Sequence, residues 1–336
     1  MFISTDKKRK LVIRKIGLFV SMFFLVAMVY SDVWAQGYPN QPVKIIVPFA
    51  AGGPSDTVGR IVARHLSEAL GQPFVIDNRP GAGGRLGMDL VAKSSPDGYT
   101  LVISVLGPTS LAPSIYSNLA YDSLRSFEHI SRLTIQPTIM VVNSALDVKT
   151  VPDLISLAKS KPGKLTFCST GIGTTPQLYV EMLKAQYGIN LTHIPYKSGP
   201  TAVTDLISGR VDLMVDNIAT LLPYVKSGQL RALAVTGNRK SSFLPTLPTA
   251  AESGLPDFEN TIWFGLSAPA GIPKPVLQLL HAKVVEIVRK PDVKDAFKSL
   301  GAESSDTTPE EFRAFIVADI ERWAKAAKIA GIKPQN

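Results

Sequence analysis

Cysteine occurs once in 336 residues, at Cys168, and histidine only four times. A lone thiol cannot close an intramolecular disulfide. Without a Cys pair, zinc ribbons, iron–sulfur clusters and Cys-x-x-Cys redox motifs are excluded together. His65, His129, His193 and His281 show no i, i+4 pairing, so the sequence offers no dedicated metal site and implies no cofactor. Charge is sparse as well, at 19% of residues with a formal net of +9. Lys7, Lys8, Arg9, Lys10, Arg14 and Lys15 against Asp6 and Asp32 place +4 of it in the first 35 residues. What remains is dispersed and accompanied by no stacking platform, so nucleic acid is not an expected partner.

Long apolar runs are missing with one exception. Ile16 to Tyr30 follows the basic run and precedes Val33-Trp34-Ala35, a small-x-small cleavage pattern. At about 1.5 Å per residue this run covers roughly 22 Å, short of the ~30 Å hydrocarbon core. Residues 1–35 are therefore expected to be a secretory signal peptide cleaved after Ala35. Lipid anchoring needs a Cys at the new N-terminus, which Gln36 does not supply. The mature chain is expected to be soluble and exported.

Past that segment, short apolar runs alternate with amphipathic segments, the pattern of an α/β fold with largely parallel sheets. Strands are predicted at Lys44–Phe49, Phe74–Asp77, Thr100–Ser104, Thr138–Asn143, Leu165–Ser169, Thr192–Tyr196, Val211–Asp216, Leu230–Thr236 and Phe264–Ala268. Helices are predicted over Asp56–Leu70, with Ser55 or Asp56 as N-cap and Gly71 as stop, and over Val151–Ser160, Pro176–Tyr187, Thr201–Ser208, Lys274–Arg289 and Pro309–Lys328. No low-complexity linker divides the chain. Two domains must then be joined by crossing strands, which makes the first discontinuous: 36–137 with 262–336, and 138–261 between them.

Glycine is plentiful where chemistry could sit. Pro48 to Asp56 and Arg79 to Gly87 each follow a predicted strand and bring backbone N–H groups to a sheet edge. Glycine permits close approach of a ligand, and a helix N-terminus favours an anion. A third turn, Ser169 to Pro176, repeats this and adds hydroxyls. Each turn alone could be no more than a tight strand-to-helix connection; three facing one cleft could cradle a carboxylate.

Enzyme motifs fail on inspection. Gly81-x-Gly83 is followed by Leu86 where a dinucleotide fingerprint needs glycine. Ser156-x-x-Lys159 lacks the companion elements of an acyl-enzyme site. Cys168 with His193 could be nucleophile and base, but an isolated Cys near a strand end is ordinarily a small buried hydrophobe. His65 lies on the apolar face of the first helix and reads as core. Phe49 and Trp263 adjoin the cleft segments and are the aromatic residues expected to line a pocket, core packing being the alternative.

From about Tyr38 to Lys333 the chain resembles the receptors of the tripartite tricarboxylate transporters, the Bug family of periplasmic solute-binding proteins. The likeness rests on Val47-Pro48-Phe49-Ala50-Ala51-Gly52-Gly53-Pro54-Ser55-Asp56, Asn78-Arg79-Pro80-Gly81-Ala82-Gly83-Gly84 and Pro96-Asp97-Gly98-Tyr99-Thr100, with Asp216-Asn217 and Leu230 to Thr236 further on. Gln177 stands where many relatives have a His, and Thr109 to Pro113 replaces a His-Ala-x-Asn-Pro run. The resemblance implies a periplasmic binding protein fold of type II, with two α/β domains and a ligand cleft between them. It implies a receptor, not an enzyme, that binds a small organic acid and passes it to a tripartite tricarboxylate-type membrane permease. A sensor signalling to a membrane receptor would share the same residues, and an exported enzyme acting on small acids is the remaining alternative. The ligand contacts it implies are Phe49, Ala51, Gly52, Gly53, Ser55 and Asp56 with Gly81, Ala82 and Gly83. Ser169, Thr170, Gly173, Thr174, Thr175 and Asp216 would face them.

Overall fold

A computed structural model of the protein describes residues 37–171, 174–196, 199–236, 240–256, 261–329 and 331. The chain alternates strand and helix as its hydropathy pattern requires. It begins β1 (Val43–Val47), α1 (Pro54–Leu70), β2 (Phe74–Asn78), α2 (Arg85–Ala92) and β3 (Thr100–Val105). A wide turn at Gly107–Leu111 and short α3 (Ala112–Ile115) lead to β4 (Phe127–Asn143). Then come α4 (Val151–Ser160), β5 (Thr166–Ser169), α5 (Thr175–Tyr187), β6 (Thr192–Pro195), α6 (Gly199–Ile207), β7 (Leu213–Asn217), α7 (Ile218–Lys226) and β8 (Leu230–Val235). The chain closes with β9 (Thr261–Pro269), α8 (Lys274–Arg289), α9 (Pro291–Ser299), β10 (Glu303–Ser304) and α10 (Pro309–Ile329).

The strands lie in the order β2-β1-β3-β9-β4-β7-β5-β6, with β8 and β10 also on β4. The pairing of β4 fixes the architecture. From Phe127 to Pro137 it lies against β9, and from Thr138 to Asn143 against β7 and β8. One continuous strand therefore carries the chain from one half of the sheet to the other. In the first half β1, β2 and β3 are parallel, and β9 is antiparallel to both β3 and β4, so β4 runs with β3. In the second half β5, β6 and β7 are parallel and run against β4. The C-terminal ends of β1, β2 and β3 therefore face the C-terminal ends of β5 and β7 across the Pro137–Thr138 junction. Ligands of open parallel sheets bind at such C-terminal edges.

Each half packs helices on its own part of the sheet, and one cluster joins Leu106, Leu111 and Trp263 of the first half to the core of the second. Val58, Val62 and Leu66 of α1 are buried against Ile45, Val47, Leu101 and Ile103 of the sheet. Each such side chain contributes about 1.5–3 kcal/mol on burial. The second half packs Leu178 and Leu183 of α5 against Phe167 and Val215, and Val203 and Leu206 of α6 against Cys168 and Met214 on the other face. Helix α10 touches both halves: Phe312 meets Trp263 of β9 at 5.4 Å between ring centroids, and Trp323 meets Tyr179 of α5 at 5.1 Å.

Three sequence expectations are corrected. Strand β4 starts at Phe127, eleven residues before the predicted Thr138, because its first half carries polar side chains that break the apolar run. These are satisfied inside: His129 lies 3.0 Å from the Ser267 hydroxyl, and Ser131 donates to the Thr307 carbonyl at 2.9 Å. Helix α1 is capped by extended Gly53, not by Ser55 or Asp56, because Pro54 already has the φ of a first helical residue. Helices α2, α3, α7 and α9 were not expected; α7 contains Pro223, and α2 opens on a glycine turn. Gly71 does end α1 in the left-handed conformation, with φ of 69°.

Candidate ligand cleft

The first glycine turn joins β1 to α1 and folds around Asp56. Its carboxylate is buried and accepts from Gly52 N–H at 2.9 Å, Arg60 Nε at 2.9 Å and Asn78 Nδ2 at 3.0 Å. Burial alone would raise its pKa; the donors from Arg60, Gly52 and Asn78 outweigh that and hold it below the usual carboxylate range. Asp56 and the Gly52 amide are thus spent on each other, bracing the turn from inside. Ser55 is buried beside it, while Ala51 and Gly52 are exposed and Gly53 and Phe49 are partly so.

The second turn follows β2, the strand beside β1, with Val47 level with Asn78. Gly81, Ala82, Gly83 and Gly84 all have positive φ, at 145°, 48°, 66° and 91°. The succession folds the turn back on itself, with Gly84 N–H donating to the Gly81 carbonyl at 2.9 Å. Gly81, Ala82 and Gly83 are exposed. Gly84 is buried where a Cβ would stand 3.0 Å from Pro108 Cγ and 3.1 Å from Phe49 Cζ. The Phe49 ring thus locks the two turns together. Arg85, which sequence reasoning missed, donates from Nε to the Ala82 carbonyl at 2.8 Å, and its guanidinium lies 3.4 Å above the Tyr116 ring centroid.

Across the junction the third turn ends β5. Ser169 is fully buried, with Oγ 2.7 Å from His193 Nε2 and donating to the Gly171 carbonyl at 3.0 Å. Its hydroxyl therefore serves the turn and does not reach the cleft. Thr174 Oγ1 donates to the same carbonyl at 2.7 Å. Thr170, Thr174 and Thr175 are partly exposed, and Thr174 is the extended cap residue of α5 whose side chain caps nothing. Gly173 lies outside the described residues. Asp216, one residue before the end of β7, stands beside this turn, and burial pushes its carboxyl up to about 6. Asn217 caps α7 through Ala219 N–H at 2.8 Å and donates to Gln136 Oε1 at 2.6 Å, joining the two halves.

Trp263 is not in the pocket. It is fully buried under α10, and its Nε1 donates to Asp319 at 2.9 Å. Cys168 is buried as expected, its thiol pushed up by burial to about 12 and thus protonated at neutral pH. His193 is engaged by Ser169 and not by Cys168. His65 is buried on α1.

This arrangement coincides with a family match over residues 58–332 to the model described as "Tripartite tricarboxylate transporter family receptor". The chain belongs to that family. Protein BugT of Bordetella pertussis (strain Tohama I) is 35% identical over 315 residues, spanning 94% of this chain and 97% of BugT. Among solved structures, R. palustris Rpa4515 with adipate is 35% identical with a TM-score of 0.75, covering 89% of this chain and 100% of that one. MatC from Rhodopseudomonas palustris with bound malate is 31% identical with a TM-score of 0.71, covering 86% and 99%. The fold of this receptor is thus that of the periplasmic solute-binding proteins, and its role is that of a solute receptor.

Proposed function

We propose that this receptor binds a small organic acid by its carboxylate in the cleft and delivers it, chemically unchanged, to a tripartite tricarboxylate-type membrane permease. The observation that carries this reading is the convergence of the three glycine turns on facing sheet edges. Two relatives of the same fold, solved with adipate and with malate, support the acid. Residues 36–137 with 262–336 form one lobe and 138–261 the other, a division supported by the change of partners of β4 at Pro137–Thr138. An acid touching both lobes favours the closed form because only there do donors converge from both sides. The signal peptide is removed after Ala35, and the mature monomer works in the periplasm.

A thermal-shift panel tests the reading on ligand-stripped protein, using dicarboxylates, tricarboxylates, hydroxy acids, amino acids and uncharged analogues. Ligand at 100 times its Kd adds about 2.7 kcal/mol, a shift of several degrees. A shift from acids alone, with the compound recovered intact by mass spectrometry, is the expected result. Shifts from neutral compounds alone, or recovery of an altered compound, would overturn it.

A further inference from the structure

The cleft-facing end of β7 carries a carboxyl that no charge among the described residues neutralises. Asp216 is level with Ile139, two residues beyond the junction on β4. It stands beside the third glycine turn, because β7 runs parallel to β5 with Met214 level with Cys168. Its Oδ1 accepts from Asn217 N–H at 2.7 Å, and it forms no ion pair among the described residues. Among the described residues, the groups around it are protonated or already matched. On β5 the Cys168 thiol stays neutral; Tyr196, ahead of α6, donates to Asp205 at 2.8 Å; Asp205 of α6 pairs with Arg210 at 2.8 Å. On β4 its neighbour is apolar Ile139, and next to it at the end of β7 is the Asn217 amide.

The facing wall has the opposite character, with the exposed glycine turn Gly81–Gly83 and the N-terminus of α1 offering N–H donors. An acid held there by one end presents its other end toward the second half of the cleft. A second ionised carboxylate would meet Asp216 across the cleft with no cation of the described residues between them, which is costly. An O–H or N–H group would instead satisfy the remaining Asp216 oxygen. Resting on the receptor reading above, we propose that Asp216 sets specificity: the preferred ligand is an organic acid bearing a hydrogen-bond donor, a hydroxyl or an ammonium, at the end away from the held carboxylate. A dicarboxylate then fits with a proton held between its distal carboxyl and Asp216, so its binding strengthens as pH falls through about 6.

The test is calorimetry of the ligand-stripped protein at pH 8 and pH 5 with acids differing only at the far end: adipate, 6-hydroxyhexanoate, 6-aminohexanoate and hexanoate, and the matching four-carbon series. At pH 8 the better of the hydroxy and amino acids is expected to bind about tenfold or more tightly than the diacid and the plain acid of its length. The hydroxy and amino arms tell the two donors apart, and the diacid gains affinity at pH 5. Asp216→Asn, which keeps size and removes charge, is expected to bring donor-bearing acid and diacid within about twofold. A diacid binding wild type as tightly as the donor acids at pH 8, or an unchanged preference in Asp216→Asn, would overturn the proposal while leaving the receptor reading intact. Absence of binding by every acid to wild type would overturn the receptor reading itself.

Discussion

Asn78 Nδ2 donates to Asp56 Oδ1 at 3.0 Å and to the Phe49 carbonyl at 3.0 Å, so the end of β2 holds both ends of the first glycine turn. Asn78→Ala strands two partly buried acceptors, at a cost of about 1–3 kcal/mol. Because the turns then lose their mutual register, acid binding is expected to weaken about tenfold with it. Arg60→Ala removes a partner whose own side chain is 55% exposed and is expected to leave the urea midpoint nearly unchanged. Urea denaturation and calorimetry on both variants separate the two effects.

Gly84 and Gly52 differ in a way that backbone angle alone does not reveal. Both have positive φ, 91° and 83°, but only Gly84 has side chains where a Cβ would go. Gly52→Ala is expected to cost about 1 kcal/mol, the penalty for an L-residue in that conformation. Gly84→Ala must also displace Pro108 and Phe49, for a total of about 2–4 kcal/mol. Moving the Phe49 ring also separates the turns, so ligand affinity falls in Gly84→Ala and far less in Gly52→Ala. Melting curves and titrations of the pair check this.

Ser169 shows how a residue can be part of the site without touching the ligand. Ser169→Ala leaves His193 Nε2 and the Gly171 amide without their partner and is expected to destabilise by about 1–3 kcal/mol. Because the hydroxyl is fully buried, affinity is expected to change less than about threefold beyond that loosening. A large affinity loss with unchanged stability would place the hydroxyl on the ligand.

The pH dependence of stability has a sign set by Asp216. Its folded pKa, about 6, lies above the ordinary 3.8, so the folded state holds the proton more tightly than the unfolded chain. Its contribution is fully favourable below about 3.8 and is lost as pH rises to about 6. A displacement of about two pH units corresponds to at most about 3 kcal/mol. Asp216→Asn abolishes this dependence. In the absence of ligand the variant is expected to gain on wild type by about 2 kcal/mol between pH 4 and pH 7.5. Denaturant unfolding at the two pH values measures it.

How much could be read from the sequence depended on whether an element buries one face or two. Helices Val151–Ser160 and Lys274–Arg289 fall at their predicted bounds, since each has one apolar stripe and clear end signals. The three glycine turns were legible because glycine after a strand has few other uses. The first half of β4 was not, because His129, Ser131, Arg132 and Gln136 find partners in β9, in the segment after β10 and at the end of β7, all far away in the chain. Trp263 looked like a pocket aromatic for the same reason: its partner Asp319 lies 56 residues away. Asp56 reads as a cleft acid in sequence, whereas its role inside the turn depends on Asn78 arriving from β2.

The claim that a carboxylate is what the facing turns hold is tested most directly by comparing one acid with its own primary amide. Calorimetry on the ligand-stripped protein, with the acid giving the largest thermal shift and with the amide of its held carboxylate, isolates the charge at constant shape. Loss of a charge-assisted set of backbone contacts is expected to weaken binding about a hundredfold or more. An amide that binds as tightly as the acid would contradict the account.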